Sequence, residues 1–162
     1  MMFRSFFDRY TIMGYYDSWG DFMEKREPTS KEKIYHPETG EELFRDVRRI
    51  EYEYKGIKFY ADMPGWYPKD NDEGIFTKED MKVYSKALNR AKAEAEHLLT
   101  PDKIRAARKR LKLTQEAAGD LLGGGHRAFQ KYESGEILPS RAISNLLKLL
   151  WKEPAMLEVL KA

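Results

Sequence analysis

Residues 113–136 read LTQEAAGDLLGGGHRAFQKYESGE and hold the side chains with the most pointed chemistry in the chain. Gly123, Gly124 and Gly125 run ahead of a basic segment. A glycine-rich turn that opens a helix is a natural phosphate cradle. The details exclude that use. A phosphate loop needs Lys followed by Ser or Thr directly after its glycines, whereas His126-Arg127-Ala128 follows here. A dinucleotide fingerprint needs a buried strand ahead of the glycines, whereas TQEAAGDLL reads as helix. Catalysis finds no assembled constellation. His36, His97 and His126 form no Ser-His-acid or metal-ligand arrangement, and HExxH is absent. The sequence is read as that of a non-enzyme with no cofactor and no catalytic residue.

A helix-turn-helix uses the same residues better. It needs a small residue inside its first helix, so that the second can cross closely, and Gly119 supplies it. It needs a glycine at the turn, where φ is positive, and Gly123 stands there. Phe129 is the apolar anchor of the second helix, with Leu121, Leu122 and Tyr132 on the core side. Gly125 takes the N-cap place. The recognition helix is expected from His126 to about Glu133, with its N-terminal residues toward the major groove. His126, Arg127, Gln130 and Lys131 point away from Phe129 and Tyr132. Arg127 can bond guanine bidentately, Gln130 adenine, and Lys131 suits a phosphate as well. Gln115, at a helix N-terminus, is placed for a phosphate contact. Lys103, Arg105, Arg108, Lys109, Arg110 and Lys112 make the preceding helix basic, a salt-sensitive and sequence-independent source of affinity. Taken singly, each of these also fits a solvated charged face; the joint spacing points to DNA.

The elements that position these residues follow from patterning. The 162 residues suit one domain or two small ones. Net charge is only +2, so local clustering rather than overall balance argues for a polyanion partner. No cysteine is present, which excludes disulfides and thiolate metal sites. No signal peptide or membrane span is visible, and a soluble cytoplasmic protein is expected. Residues 1–30 are an aromatic-rich extension, either a short packed helix or a flexible arm. Residues 31–76 read as strands: Ile50, Tyr52 and Tyr54 alternate with Arg49, Glu51 and Glu53, Lys55-Gly56 turns the chain, and Ile57, Phe59 and Ala61 continue the period. MPGWYPKDNDEG reads as a loop. A linker helix spans 77–99, with Thr77 and Asp80 as a capping box and Met81, Tyr84, Leu88, Ala91, Ala95 and Leu98 on its apolar face. Thr100-Pro101 opens an all-helical domain, 100–162, of five helices. Thr114 caps the second, and Pro139 and Ser140 stand near the start of the fourth.

With these residues in place a likeness can be stated. IRAARKRLKLTQEAAGDLLGGGHRAFQKYESGEILPS resembles the C-terminal domain of MqsA-type antitoxins, a branch of the Xre-like helix-turn-helix proteins, and NLLKLLWKEPAMLEVL is similar to that family's leucine-rich tail. The N-terminal half is also similar but altered. The family carries a small zinc domain with two Cys-x-x-Cys pairs, and here His36, Thr39, Pro68 and Asn71 stand at the ligand positions. Zinc wants Cys, His or carboxylate ligands, so the resemblance implies a zinc-ribbon-like domain that has lost its metal, packed instead by Trp66, Tyr67, Tyr52, Tyr54 and Phe59. The implied fold class is α+β. The implied function is that of an antitoxin: the N-terminal domain neutralises a cognate toxin, typically an mRNA-cleaving ribonuclease. The C-terminal domain dimerises and represses its own operon at a palindromic DNA operator. Arg127 and Lys131 match the family's two recognition-helix contacts, with Arg127 where Asn is frequent. The alternative is a stand-alone transcription regulator whose N-terminal domain binds a ligand or another protein.

Overall fold

The computed structural model describes residues 30–161. The aromatic extension expected over 1–30 lies, but for Ser30, outside the described residues. Three strands come first: β1 (Lys33–Tyr35), β2 (Glu42–Tyr54) and β3 (Ile57–Tyr67), antiparallel in the order β1-β2-β3. The expected hairpin forms. Tyr54 pairs with Ile57 across Lys55-Gly56, whose φ values of 49° and 79° fit a two-residue primed turn. The register Ile50↔Ala61, Tyr52↔Phe59 puts the two apolar sets on one face.

One expectation fails here. MPGWY is not loop but the end of β3, paired with β2 through Val47↔Pro64 to Phe44↔Tyr67. Pro64 is tolerated because β3 is an edge strand, where a missing N–H costs no ladder bond. Gly65 serves close packing rather than a turn: a Cβ there would meet the Phe76 ring at 2.9 Å and the Tyr67 ring at 3.0 Å. Tyr67 is fully buried, and its hydroxyl donates to the Met63 carbonyl.

α1 (Asp80–Ala95) lies across the apolar face of the sheet, with Tyr84 ring-to-ring against Tyr52 and Phe59 at 4.8 and 6.4 Å. The capping box is present. The Thr77 amide and hydroxyl both donate to Asp80 Oδ2 at 2.8 Å, and the Asp80 amide donates back to Thr77 Oγ1. Arg45 on β2 donates twice to the same carboxylate, which ties the sheet to the start of the helix. His97, at φ 55°, turns the chain out of α1.

The second half is helical: α2 (Pro101–Arg110), α3 (Gln115–Leu122), α4 (Ala128–Ser134), α5 (Arg141–Lys152) and a closing 3-10 helix, Pro154–Leu160. Thr114 accepts from the Ala117 amide and Ser140 from the Ile143 amide, both as N-caps. Ile104, Ala107, Leu122, Phe129, Leu147 and Leu150 form one core. Phe129 is wholly buried and edge-on to Tyr132 at 5.7 Å, so truncating it to Ala removes about 3–5 kcal/mol. The two halves meet at several polar contacts, among them Arg90 of α1 with Asp102 of α2 at 2.7 Å and Lys148 Nζ with the His97 carbonyl at 2.6 Å. Asn89 of α1 donates through Nδ2 to the carbonyls of Gly135 and Glu136, at the C-terminal end of α4.

Candidate nucleic-acid interface

The three glycines all carry positive φ: 96° at Gly123, 99° at Gly124 and 90° at Gly125. Backbone in that region does not continue a helix, so α4 begins at Ala128 rather than at His126 as expected. The N-cap is Arg127, not Gly125; the Gly125 carbonyl instead accepts from the Ala128 amide at 2.9 Å, closing a turn ahead of the helix. Gly119 does what its place in α3 predicts. A Cβ there would lie 3.0 Å from the Gly125 carbonyl carbon and closer still to its oxygen, so the turn crosses α3 only because no side chain intervenes. Gly124 is equally constrained, with Ala128 Cβ and the Tyr132 hydroxyl each 2.9 Å from where its Cβ would sit.

This turn brings Arg127, Gln130 and Lys131 together at the surface. All three are exposed, and their side chains make no hydrogen bond or ion pair among the described residues. Lys109 is likewise exposed and unpaired. His126 is exposed too but engaged: its Nδ1 lies 3.2 Å from Asp120 and its Nε2 3.5 Å from Glu116. Arg110 is turned aside, its guanidinium 4.8 Å from the Trp151 ring centroid.

Gln115 sits at the N-terminus of α3 as expected, but its carboxamide donates inward, to Glu133 Oε2 at 2.9 Å. Glu133 is the residue that sequence reasoning missed. It is 4% exposed on α4, and Arg108 grips it through Nε and Nη2 while Arg105 approaches at 3.5 Å. Burial pushes its carboxyl up, yet Arg108, then Gln115, then Arg105 outweigh that and hold it below the ordinary glutamate range. Two of the five basic residues of α2 are therefore structural: Arg105 and Arg108 fasten α2 to α4, as Gln115 fastens α3, rather than face a ligand. The signal was present, since Glu133 stands four residues after the Phe129 anchor, on the buried face of the helix.

In the N-terminal domain, the residues at the expected zinc positions do not fit a metal. Pro68 offers no ligand side chain, Asn71 Oδ1 accepts from the Glu73 amide, and His36 Nδ1 accepts from the amides of Glu38 and Thr39. No group of three His, Asp or Glu side chains is placed to hold an ion among the described residues.

These features define a mixed α+β protein that joins a small antiparallel sheet to a helical half with a glycine turn and a patch of unpaired basic and amide side chains. The chain belongs to the MqsA family, the antitoxin component of bacterial toxin–antitoxin systems, whose profile matches residues 37–161. Antitoxin MqsA of Escherichia coli (strain K12) is 32% identical over 123 residues, covering 74% of this chain and 93% of that protein. Among the described residues no helix is long and apolar enough to cross a membrane.

Proposed function

We propose that this chain neutralises a partner toxin, an mRNA-cleaving ribonuclease, and represses its own operon by docking α4 in the major groove of a palindromic operator. The observation that carries the DNA half is the set of free side chains Arg127, Gln130 and Lys131 around a turn that Gly119 and Gly124 hold in one shape. Arg127 reads a guanine, Gln130 an adenine, and Lys131 and Lys109 meet phosphates. His126 lies beside Glu116 and Asp120 at the edge of this patch and bonds to the latter. Gln115 reaches phosphate through its backbone amide at the start of α3, since its side chain is committed to Glu133. Arg110 adds charge at the rim.

A palindromic operator calls for a dimer with its half-sites about one helical turn, ~34 Å, apart. The exposed apolar side chains Leu149, Trp151, Met156 and Val159 on α5 and the closing helix support self-association through the C-terminal domain in the cytoplasm. The sheet domain is the toxin-binding part. The test is a titration of the DNA upstream of this gene with wild-type protein and with Arg127→Ala, paired with co-expression of the neighbouring reading frame. Sequence-specific binding that Arg127→Ala weakens, and relief of the neighbour's growth arrest, are expected. Specific DNA binding without relief points instead to a stand-alone regulator, and equal affinity for operator and random DNA removes the repressor assignment.

A further inference from the structure

β2 buries two opposite charges on the covered face of the sheet, Asp46 and Arg48, whose side chains are only 7% and 8% exposed. A buried ion pair persists only if its remaining donors and lone pairs are also used. Arg48 uses its whole fork. Nε donates to Asp46 Oδ2 at 3.2 Å, Nη1 to the Asn71 carbonyl and to Asp72 Oδ1 at 2.9 Å, and Nη2 to the Pro68 carbonyl at 2.8 Å. Its guanidinium also lies over the Tyr67 ring, 4.5 Å from the centroid.

Two of these acceptors are the backbone carbonyls of Pro68 and Asn71, the residues at the two expected ligand positions of the loop after β3. These two anchors are groups any residue type supplies, so they do not depend on ligand side chains at 68 and 71; Asp72 adds a side-chain acceptor. The turn between β1 and β2 leaves the same end of the sheet, because Phe44 pairs with Tyr67. It is closed separately, by His36 Nδ1 and by the backbone bonds His36 N–H to Glu41 O and Gly40 N–H to His36 O.

We propose that the Arg48 guanidinium stands in for a structural metal ion: a covalently attached cation that cross-links β2 to the 68–72 loop, so that the N-terminal domain folds without metal and resists chelation. A chelator cannot strip this cation, and zinc supply does not limit it. Arg serves where Lys does not, because the planar fork holds four acceptors in fixed directions while an ammonium group offers no fixed directions.

The test uses the full-length protein purified from zinc-supplemented cells. Elemental analysis should find far less than one metal ion per chain, and melting should be the same with and without EDTA. Hydrogen exchange mass spectrometry should show the amides of Glu73 and Ile75, which donate to Asn71 Oδ1 and the Trp66 carbonyl, exchanging roughly tenfold faster in Arg48→Lys, the size expected when a charge-assisted hydrogen bond is lost locally. The amides of α2 to α5 should be unchanged. Asp72→Asn alters only the exposed end of the clamp, since Asp72 is 75% exposed. It should give a smaller increase in the same segment and carries the test if Arg48→Lys does not fold. One zinc per chain, EDTA-sensitive melting, or unchanged exchange at Glu73 and Ile75 in the folded variant overturns the proposal.

Discussion

Gly119→Ala separates two physical accounts by sign. In an ordinary helix interior this change is stabilising by about 1 kcal/mol, because Ala is the better helix former. Gly119 lies inside α3, so propensity alone forecasts a gain. The structure forecasts a loss. The new methyl would sit 3.0 Å from the Gly125 carbonyl carbon and closer to its oxygen, and both are backbone atoms that cannot swing aside. Restoring a normal separation moves the turn by roughly 1 Å. Overpacking of that kind costs about 3 kcal/mol, so the net expectation is a destabilisation of about 2 kcal/mol. The displaced turn also carries Arg127, so specific DNA affinity should fall further than stability explains. Gly125→Ala is the control: its Cβ would meet nothing within 4 Å, which leaves only the φ of 90° to oppose it, about 1–2 kcal/mol. Urea unfolding followed by circular dichroism gives both values, and anisotropy titration gives the affinity. A neutral or stabilised Gly119→Ala, or a Gly125→Ala that is clearly the worse of the two, would refute the close-crossing account.

Other substitutions probe the site and its supports. Arg127→Ala should weaken operator binding by about 1–3 kcal/mol and relax specificity at one position, whereas Lys109→Ala should lower affinity uniformly and reduce the salt slope by about 1; identical effects on operator and random DNA in both variants contradict the division. The Asp80 carboxyl is held at about 2, below its ordinary 3.8, chiefly by the Arg45 hydrogen bond, with Thr77 adding and burial opposing. A depressed folded value means stability that is present above about pH 4 and lost as pH falls toward 2, about 2 kcal/mol in all. Asp80→Asn should flatten the stability curve across that window, and an unchanged slope in urea midpoints would count against it. Asn89→Ala should cost about 1 kcal/mol and speed exchange at the end of α4; unaltered exchange there would show the contact to be idle.

Local signals were legible where local chemistry decides the backbone. Lys55-Gly56, Thr114 and Ser140 each act through bonds within a few residues, and the sequence names them directly. Gly119 and Phe129 were legible because their spacing encodes a crossing. What escaped depends on partners distant in sequence. MPGWY looks like a loop by composition, yet the pairing of β2 with its edge neighbour overrides Pro64 and Gly65. The start of α4 was misplaced because three successive positive φ values, rather than one, delay it. Glu133, Arg45 and Arg48 take partners 25, 35 and 24 positions away, Arg108, Asp80 and Asp72, which no local pattern pairs with them.

The Asn89 amide has a thermodynamic corollary. It holds the last carbonyls of the helix that presents Gln130 and Lys131, and it belongs to the helix that packs on the sheet. A ligand that shifts α1 on the sheet therefore changes how α4 is anchored. Coupling of this kind is reciprocal. Whatever factor such a ligand imposes on DNA affinity, DNA imposes on the ligand, and the Asn89 amide is the contact that reaches α4 directly.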